Sequence, residues 1–189
     1  MTGFAADIEQ CLLTLHAGGI ILFPTDTIWG LGCDATDPQA VERLFALKRR
    51  SPEKALVVLL PDERDLLQYV AAPDPAVFDY IEQTDKPTSI IFDNVLGLAD
   101  NVLAPDGSAA IRIVKEDFCR HLLKRFRKPI TASSANYSGE ATPSHFATID
   151  ASLLNAVDYA VQYRRNDRGD GVPSRMVRWT KAGPVLIRR

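Results

Sequence analysis

Ile20-Ile21-Leu22-Phe23-Pro24-Thr25-Asp26-Thr27-Ile28-Trp29-Gly30-Leu31-Gly32 is the stretch on which the fold turns. Its first four residues are a short apolar run rich in β-branched and aromatic side chains. Pro24 closes the run, because proline has no N–H to give a sheet ladder, so the segment reads as a buried strand opening into a loop. The strand therefore delivers Pro24-Thr25-Asp26-Thr27 at its C-terminal end. Upstream, Phe4, Ile8, Cys11, Leu12 and Leu15 fall on one face at helical spacing, and Gly18-Gly19 supplies a stop. Downstream, Asp37-Pro38 pairs an N-cap acceptor with proline at the first helical position, and Val41, Leu44, Phe45 and Leu47 carry a second helix to Lys48.

The same alternation continues along the chain. Ala55 to Leu60 reads as a strand buried on both faces, followed by helical patterns at Asp62 to Val70 and Asp74 to Gln83. Ser89 to Phe92, Ala109 to Val114 and Pro129 to Ala132 are further strands. Between the last two, Asp117 to Phe126 is a helix with Phe118, Leu122 and Phe126 inward. Tyr159 to Tyr163, Met176 to Trp179 and Val185 to Ile187 are late strands, separated by polar loops that include Gly169-Asp170-Gly171-Val172-Pro173. Interleaved helices and strands predict an α/β sheet.

A chain of 189 residues, 46% hydrophobic and 24% charged, is long enough to bury one core, and one domain over residues 1–189 is expected. No apolar run approaches the ~18 residues of a membrane span, and the N-terminus lacks a signal pattern, so the expected location is the cytoplasm. The three cysteines, Cys11, Cys33 and Cys119, are odd in number and widely spaced, which predicts reduced core residues rather than a disulfide framework. His16, His121 and His145 lack metal-site spacing, and no metal ligand is assigned. Charge is uneven: residues 1–104 carry 7 basic against 16 acidic side chains, and residues 105–189 carry 15 against 8. A basic half permits an anionic partner such as tRNA, unless folding interleaves the halves and averages the field.

Polar groups follow apolar runs where open α/β sheets gather ligands. Around Thr25-Asp26-Thr27 and Gly30-Leu31-Gly32, one reading is an ordinary turn and the other a turn through which backbone N–H groups approach a ligand. Lys48-Arg49-Arg50-Ser51-Pro52-Glu53-Lys54 is either helix-end charge or a phosphate clamp of Lys48, Arg50 and Lys54. Thr131 to Gly139 is either an ST- or Asx-type turn or a neutral, hydroxyl-rich pocket wall. Arg112, alone in an apolar strand, demands an anion, whether a structural carboxylate or a ligand. No P-loop, GxGxxG turn or GxSxG elbow is present.

In their order, PTDTIWGLGCDA, LKRRSPEKAL, AAIRIV and PITASSANYSG resemble the signature segments of the Sua5/YciO/YrdC family of threonylcarbamoyl-adenylate synthases, over residues 10 to 180. The resemblance implies a twisted mixed sheet flanked by helices, open on a large concave cavity. It also implies a reaction in which ATP, L-threonine and bicarbonate give threonylcarbamoyl-AMP and pyrophosphate for a tRNA-modifying transferase complex, with Mg2+ accompanying ATP. Carried over position by position, Lys48, Arg50, Lys54, Ser89, Ala132 and Asn136 would serve ATP, with Lys48 and Arg50 catalytic. Thr27, Arg112, Ser134 and Ser174 would orient threonine. The segment Asp85 to Ile91 departs from the family pattern, which leaves the nucleotide contacts there open, and Trp29 and Arg175 also depart from it at positions able to reshape the pocket. At 189 residues the chain is expected to be the short form, without the additional C-terminal domain. Two other functions stay open: binding of tRNA or double-stranded RNA without catalysis, and use of the fold on another carbamoylated substrate.

Overall fold

The computed structural model describes residues 3–49, 56–168 and 171–188. Arg50 and Lys54, the start of the strand expected from Ala55, and Gly169-Asp170 lie outside the described residues.

The first helix, α1, is Ala5–His16, and the quoted stretch forms β1, Ile21–Phe23, and β2, Gly30–Gly32. Helix α2, Pro38–Lys48, starts where expected: the Asp37 carboxylate accepts from the Gln39 and Ala40 N–H groups, and Pro38 occupies the first turn. Then come β3, Val57–Leu60; the short α3, Leu66–Tyr69; α4, Ala76–Gln83; β4, Thr88–Phe92; and β5, Ala109–Ile113. Helix α5, Asp117–Phe126, buries Phe118, Leu122 and Phe126, and is followed by β6, Ile130–Ser134. Last are α6, Ala151–Ala156; β7, Tyr159–Ala160; β8, Arg175–Thr180; and β9, Gly183–Arg188.

The strands form one mixed sheet in the order β7-β1-β2-β6-β3-β5-β4-β8-β9. β1/β7, β3/β5 and β4/β8 are parallel, and the other neighbours are antiparallel. The expected α/β fold is therefore present. Four details differ from the sequence reading. Asp62 to Val70 is not one helix but a 3-10 turn, Glu63–Asp65, running into α3. The strand expected to reach Tyr163 stops at Ala160. There the chain leaves the sheet because buried Asp7 of α1 accepts from the Gln162 and Tyr163 N–H groups, both at 2.9 Å. Helix α6 carried no sequence signal strong enough to be drawn. And Gly30–Gly32, expected as a turn, is a fully buried strand between β1 and β6.

That strand explains its own glycine. A Cβ on Gly32 would stand 2.4 Å from the Thr131 carbonyl oxygen and 2.7 Å from the Phe23 ring, whereas one on Gly30 would meet nothing nearer than 3.5 Å. Gly32→Ala is expected to cost about 3 kcal/mol or more, as overpacking against backbone does. Gly30→Ala should unfold close to the parent, and urea denaturation of the pair checks the contrast.

All three cysteines are free and buried. Burial pushes the Cys33 thiol up to about 12 and Cys119 well above its ordinary value, so neither supplies a thiolate near neutral pH. The acidic and basic halves interleave, since β5 and β6 lie among strands of the first half. Ion pairs Arg43–Asp158, Arg125–Glu9, Lys128–Asp34 and Arg178–Asp93 join the two halves directly. No helix of the described residues is long and apolar enough to cross a membrane.

Candidate active site

Register places the polar segments together. Gly30 pairs with Ser134, which sets the β1–β2 loop beside the C-terminal end of β6, and Leu59 pairs with Arg112, which brings β5 in from the other side of β3. Thr27, Arg112, Ala132, Ser134 and Ser174 thus line one cavity of about 190 Å³. Arg188 of β9 also lines it, and among its described lining residues there is no Asp or Glu. The described lining carries two arginines, several hydroxyl groups and no carboxylate, with Asp26 pairing Arg112 from outside the lining, so its chemistry favours an anion.

The β1–β2 loop is fixed by its own hydroxyls. Thr25 donates to the Ile28 carbonyl at 2.7 Å, so in the 2.9 Å contact between the Thr25 and Thr27 hydroxyls it is Thr27 that donates. The Thr27 oxygen then accepts from Arg112 Nη1 at 3.2 Å, and Arg164 donates to the Thr25 carbonyl at 3.1 Å. Arg112 answers the question its sequence position raised. Asp26 Oδ1 lies 3.3 Å from its Nη2, with both side chains largely buried. The pair is within ion-pair distance but poorly aligned. Neither Asp26 Oδ1 nor Arg112 Nε makes a hydrogen bond. A structural carboxylate is therefore present, and the guanidinium's buried Nε is left without a hydrogen-bond partner.

The β6 end is held from beneath. Lys48 is only 1% exposed, and its Nζ donates to the Ser134 carbonyl and, at 2.7 Å, to the Asn136 carbonyl. Its own carbonyl accepts from Ser138 N–H at 2.9 Å. Asn136 turns its amide nitrogen onto the Tyr137 and Glu140 carbonyls, both at 2.9 Å, and its buried Oδ1 has no hydrogen-bond partner. Arg49, in the left-handed region at φ 51°, stacks on the Tyr137 ring at 4.5 Å. Lys48 and Asn136 thus stand behind the cavity, shaping the loop that ends in it, and are not among its lining residues.

Ser89 is fully buried, with its hydroxyl 2.9 Å from that of Ser174. It supports Ser174 rather than lining the cavity. Ser89→Ala removes that partner and should loosen the Ser174 rotamer at a cost of about 1 kcal/mol in stability. The expected outcome is a raised KM with little change in kcat, measured by steady-state kinetics.

Of the departures from the family pattern, Trp29 does not reach the cavity: it packs on Phe146, with ring centroids 4.9 Å apart, and the Arg165 guanidinium lies over the Phe146 ring at 4.4 Å. Arg175 opens β8, its N–H bonded to the Pro87 carbonyl, and is not a lining residue either. The residue that sequence reasoning missed is Arg188, whose Nη2 donates to the Ser174 carbonyl at 3.1 Å. Its signal is weak, since it is the first of two arginines that follow the apolar run Val185 to Ile187.

A family model for Sua5, YciO and YrdC, described as telomere recombination, matches residues 14–189. A threonylcarbamoyl-AMP synthase of Pseudoalteromonas translucida is 32% identical over 162 residues, covering 82% of this chain and 84% of that protein. Among solved structures, P. abyssi Sua5 complexed with L-threonine superposes with a TM-score of 0.86 at 22% identity, over 97% of this chain, which spans about half (54%) of that longer one. Escherichia coli YciO superposes with a TM-score of 0.80 at 21% identity, over 97% of this chain and 89% of that one. By its matching family model and by relatives of this identity and coverage, the chain belongs to the Sua5/YciO/YrdC family.

Proposed function

We propose that this protein is an L-threonylcarbamoyladenylate synthase, acting in the cytoplasm as a single catalytic domain that supplies a tRNA-modifying transferase complex. The observation that carries the reading is the convergence of Thr27, Arg112, Ser134 and Ser174, from four separate segments, on one cavity free of carboxylates among its described residues. The names of the related synthases agree with it.

In this reading Arg112 and the three hydroxyl side chains hold the threonine carboxylate and side chain. The cavity is smaller than the ~300–1,000 Å³ of sites for drug-sized ligands, so it suits the amino acid, with the nucleotide extending past its mouth. The threonine amine adds to bicarbonate with loss of water, giving a carbamate. A carbamate oxygen attacks the α-phosphorus of ATP, the bond to the β-phosphate oxygen breaks, and pyrophosphate leaves.

The protein's task is positioning and charge neutralisation. Arg188, which lines the cavity, is assigned to the phosphates, and Arg50 and Lys54 take the same role from sequence. Lys48 and Asn136 hold the β6 loop so that Ser134 stays oriented. Mg2+ enters only as the companion of the triphosphate oxygens.

The deciding experiment is pyrophosphate release from ATP and bicarbonate with threonine, serine, valine or no amino acid. Threonine-dependent release with a threonylcarbamoyl-AMP product is expected, with valine at least about tenfold poorer because it leaves the hydroxyl partners unpaired. Release that ignores the amino acid would exclude the assignment. The RNA-binding reading gains no comparable observation, because ion pairs across the interleaved halves take up part of the basic charge.

A further inference from the structure

The sheet carries a second cavity, on the face opposite the first. Successive strand residues point to opposite faces, and in β5 Arg112 lines the cavity already described while Ile111 and Ile113 line the other. This second cavity measures about 330 Å³, within the range of small-ligand sites. Its floor is rigid sheet: Ile90, Phe92 and Ile111 are each less accessible than 5%, at 3%, 4% and 2%. Ile81 of α4 covers it, and the loop from Thr84 to Thr88 borders it.

Its polar wall carries charge of both signs. Asp26, Asp85 and Glu116 line it against Lys86 and Lys115. Most of these groups are engaged: Lys115 donates to the Thr84 carbonyl at 2.8 Å, and Glu116 accepts from Cys119 N–H at 2.8 Å while facing Arg164 at 3.6 Å. Asp26 differs, since its buried Oδ1 has an ion-pair neighbour in Arg112 but no hydrogen bond. That oxygen is turned to Arg112, but the side chain as a whole is 12% exposed, lines the cavity beside its apolar floor and accepts no hydrogen bond among the described residues, which makes Asp26 a recognition element for a cation with an apolar body.

We propose that this cavity is a second ligand site, distinct from the anion-favouring one, and that it takes a small aliphatic or aromatic amine, whose ammonium group donates to Asp26 and whose hydrocarbon part lies on Ile90, Ile111 and Ile113. The hydrocarbon supplies affinity through burial, and the carboxylate supplies selectivity for the head group.

The test uses the whole protein, with isoleucine methyl groups labelled for NMR, titrated with hexylamine, 1-hexanol and hexanoate at neutral pH. Hexylamine is expected to shift the Ile90, Ile111 and Ile113 methyl signals saturably and to bind about tenfold tighter than hexanol, the scale of one charge-assisted hydrogen bond. Hexanoate should bind weakest. Asp26→Asn should remove the amine's advantage and leave hexanol binding in place. Equal affinities for amine and alcohol in the parent protein, or no response at these three methyls, would overturn the proposal. The readout is binding alone, so it stands or falls apart from the synthase reaction.

Discussion

Arg112→Met is expected to raise the threonine Kd about a hundredfold, the scale for losing the charged partner of a bound carboxylate. The same substitution leaves Asp26 buried without its cation, which should lower stability by about 3–5 kcal/mol. Those two consequences have different origins and can be separated. In Arg112→Met combined with Asp26→Asn the uncompensated charge is gone, so most of the stability should return while threonine binding stays lost. Calorimetric titration with threonine and thermal unfolding of the single and double variants provide the four numbers needed. If the single variant binds threonine as the parent does, Arg112 serves Asp26 alone and the substrate assignment fails.

Much of this arrangement was legible in the sequence, for identifiable reasons. Helix α2 could be bounded because Asp37 and Pro38 act locally, on the N–H groups of their own first turn. Helix α5 could be read by face because its buried residues recur at helical spacing. The strand Gly30–Gly32 could not, since strand signals reside in side chains and glycine has none. Its conformation is imposed by β1 and β6, and its identity by the approach of Thr131 and Phe23. Arg112 was findable because it stands alone in an apolar run, and Thr27, Ser134 and Ser174 through the family resemblance of the segments that hold them. Only the register of distant strands makes them neighbours, and register is not a local property. Arg188 was passed over because β9 was read for its apolar residues, and those proved to be the exposed ones: Val185, Leu186 and Ile187 are 49%, 48% and 55% accessible.

Lys48 is where sequence and structure pull furthest apart, and where the second large effect is expected. A lysine at a helix C-terminus has a sufficient local reason to be there, the favourable interaction with the helix dipole, and sequence resemblance adds a phosphate to contact. Burial to 1% exposure changes the argument. An ammonium group removed from water must be satisfied by the protein, and here the Ser134 and Asn136 carbonyls do so. Lys48→Met keeps the length of the side chain and removes the donor: the Ser134 carbonyl retains the Asn136 N–H at 2.9 Å, while the Asn136 carbonyl loses its lysine partner and the loop loses the clamp between the two. That should cost about 2–4 kcal/mol, or roughly 5–15 °C in Tm for a chain of this size. Turnover should fall with it, because Ser134 sits on the segment that Lys48 holds, and threonine binding should weaken even without ATP. A phosphate contact alone predicts otherwise: an unchanged Tm, intact threonine binding and a defect confined to ATP. Measuring Tm and threonine affinity on the one variant therefore decides whether Lys48 builds the site or only touches what enters it.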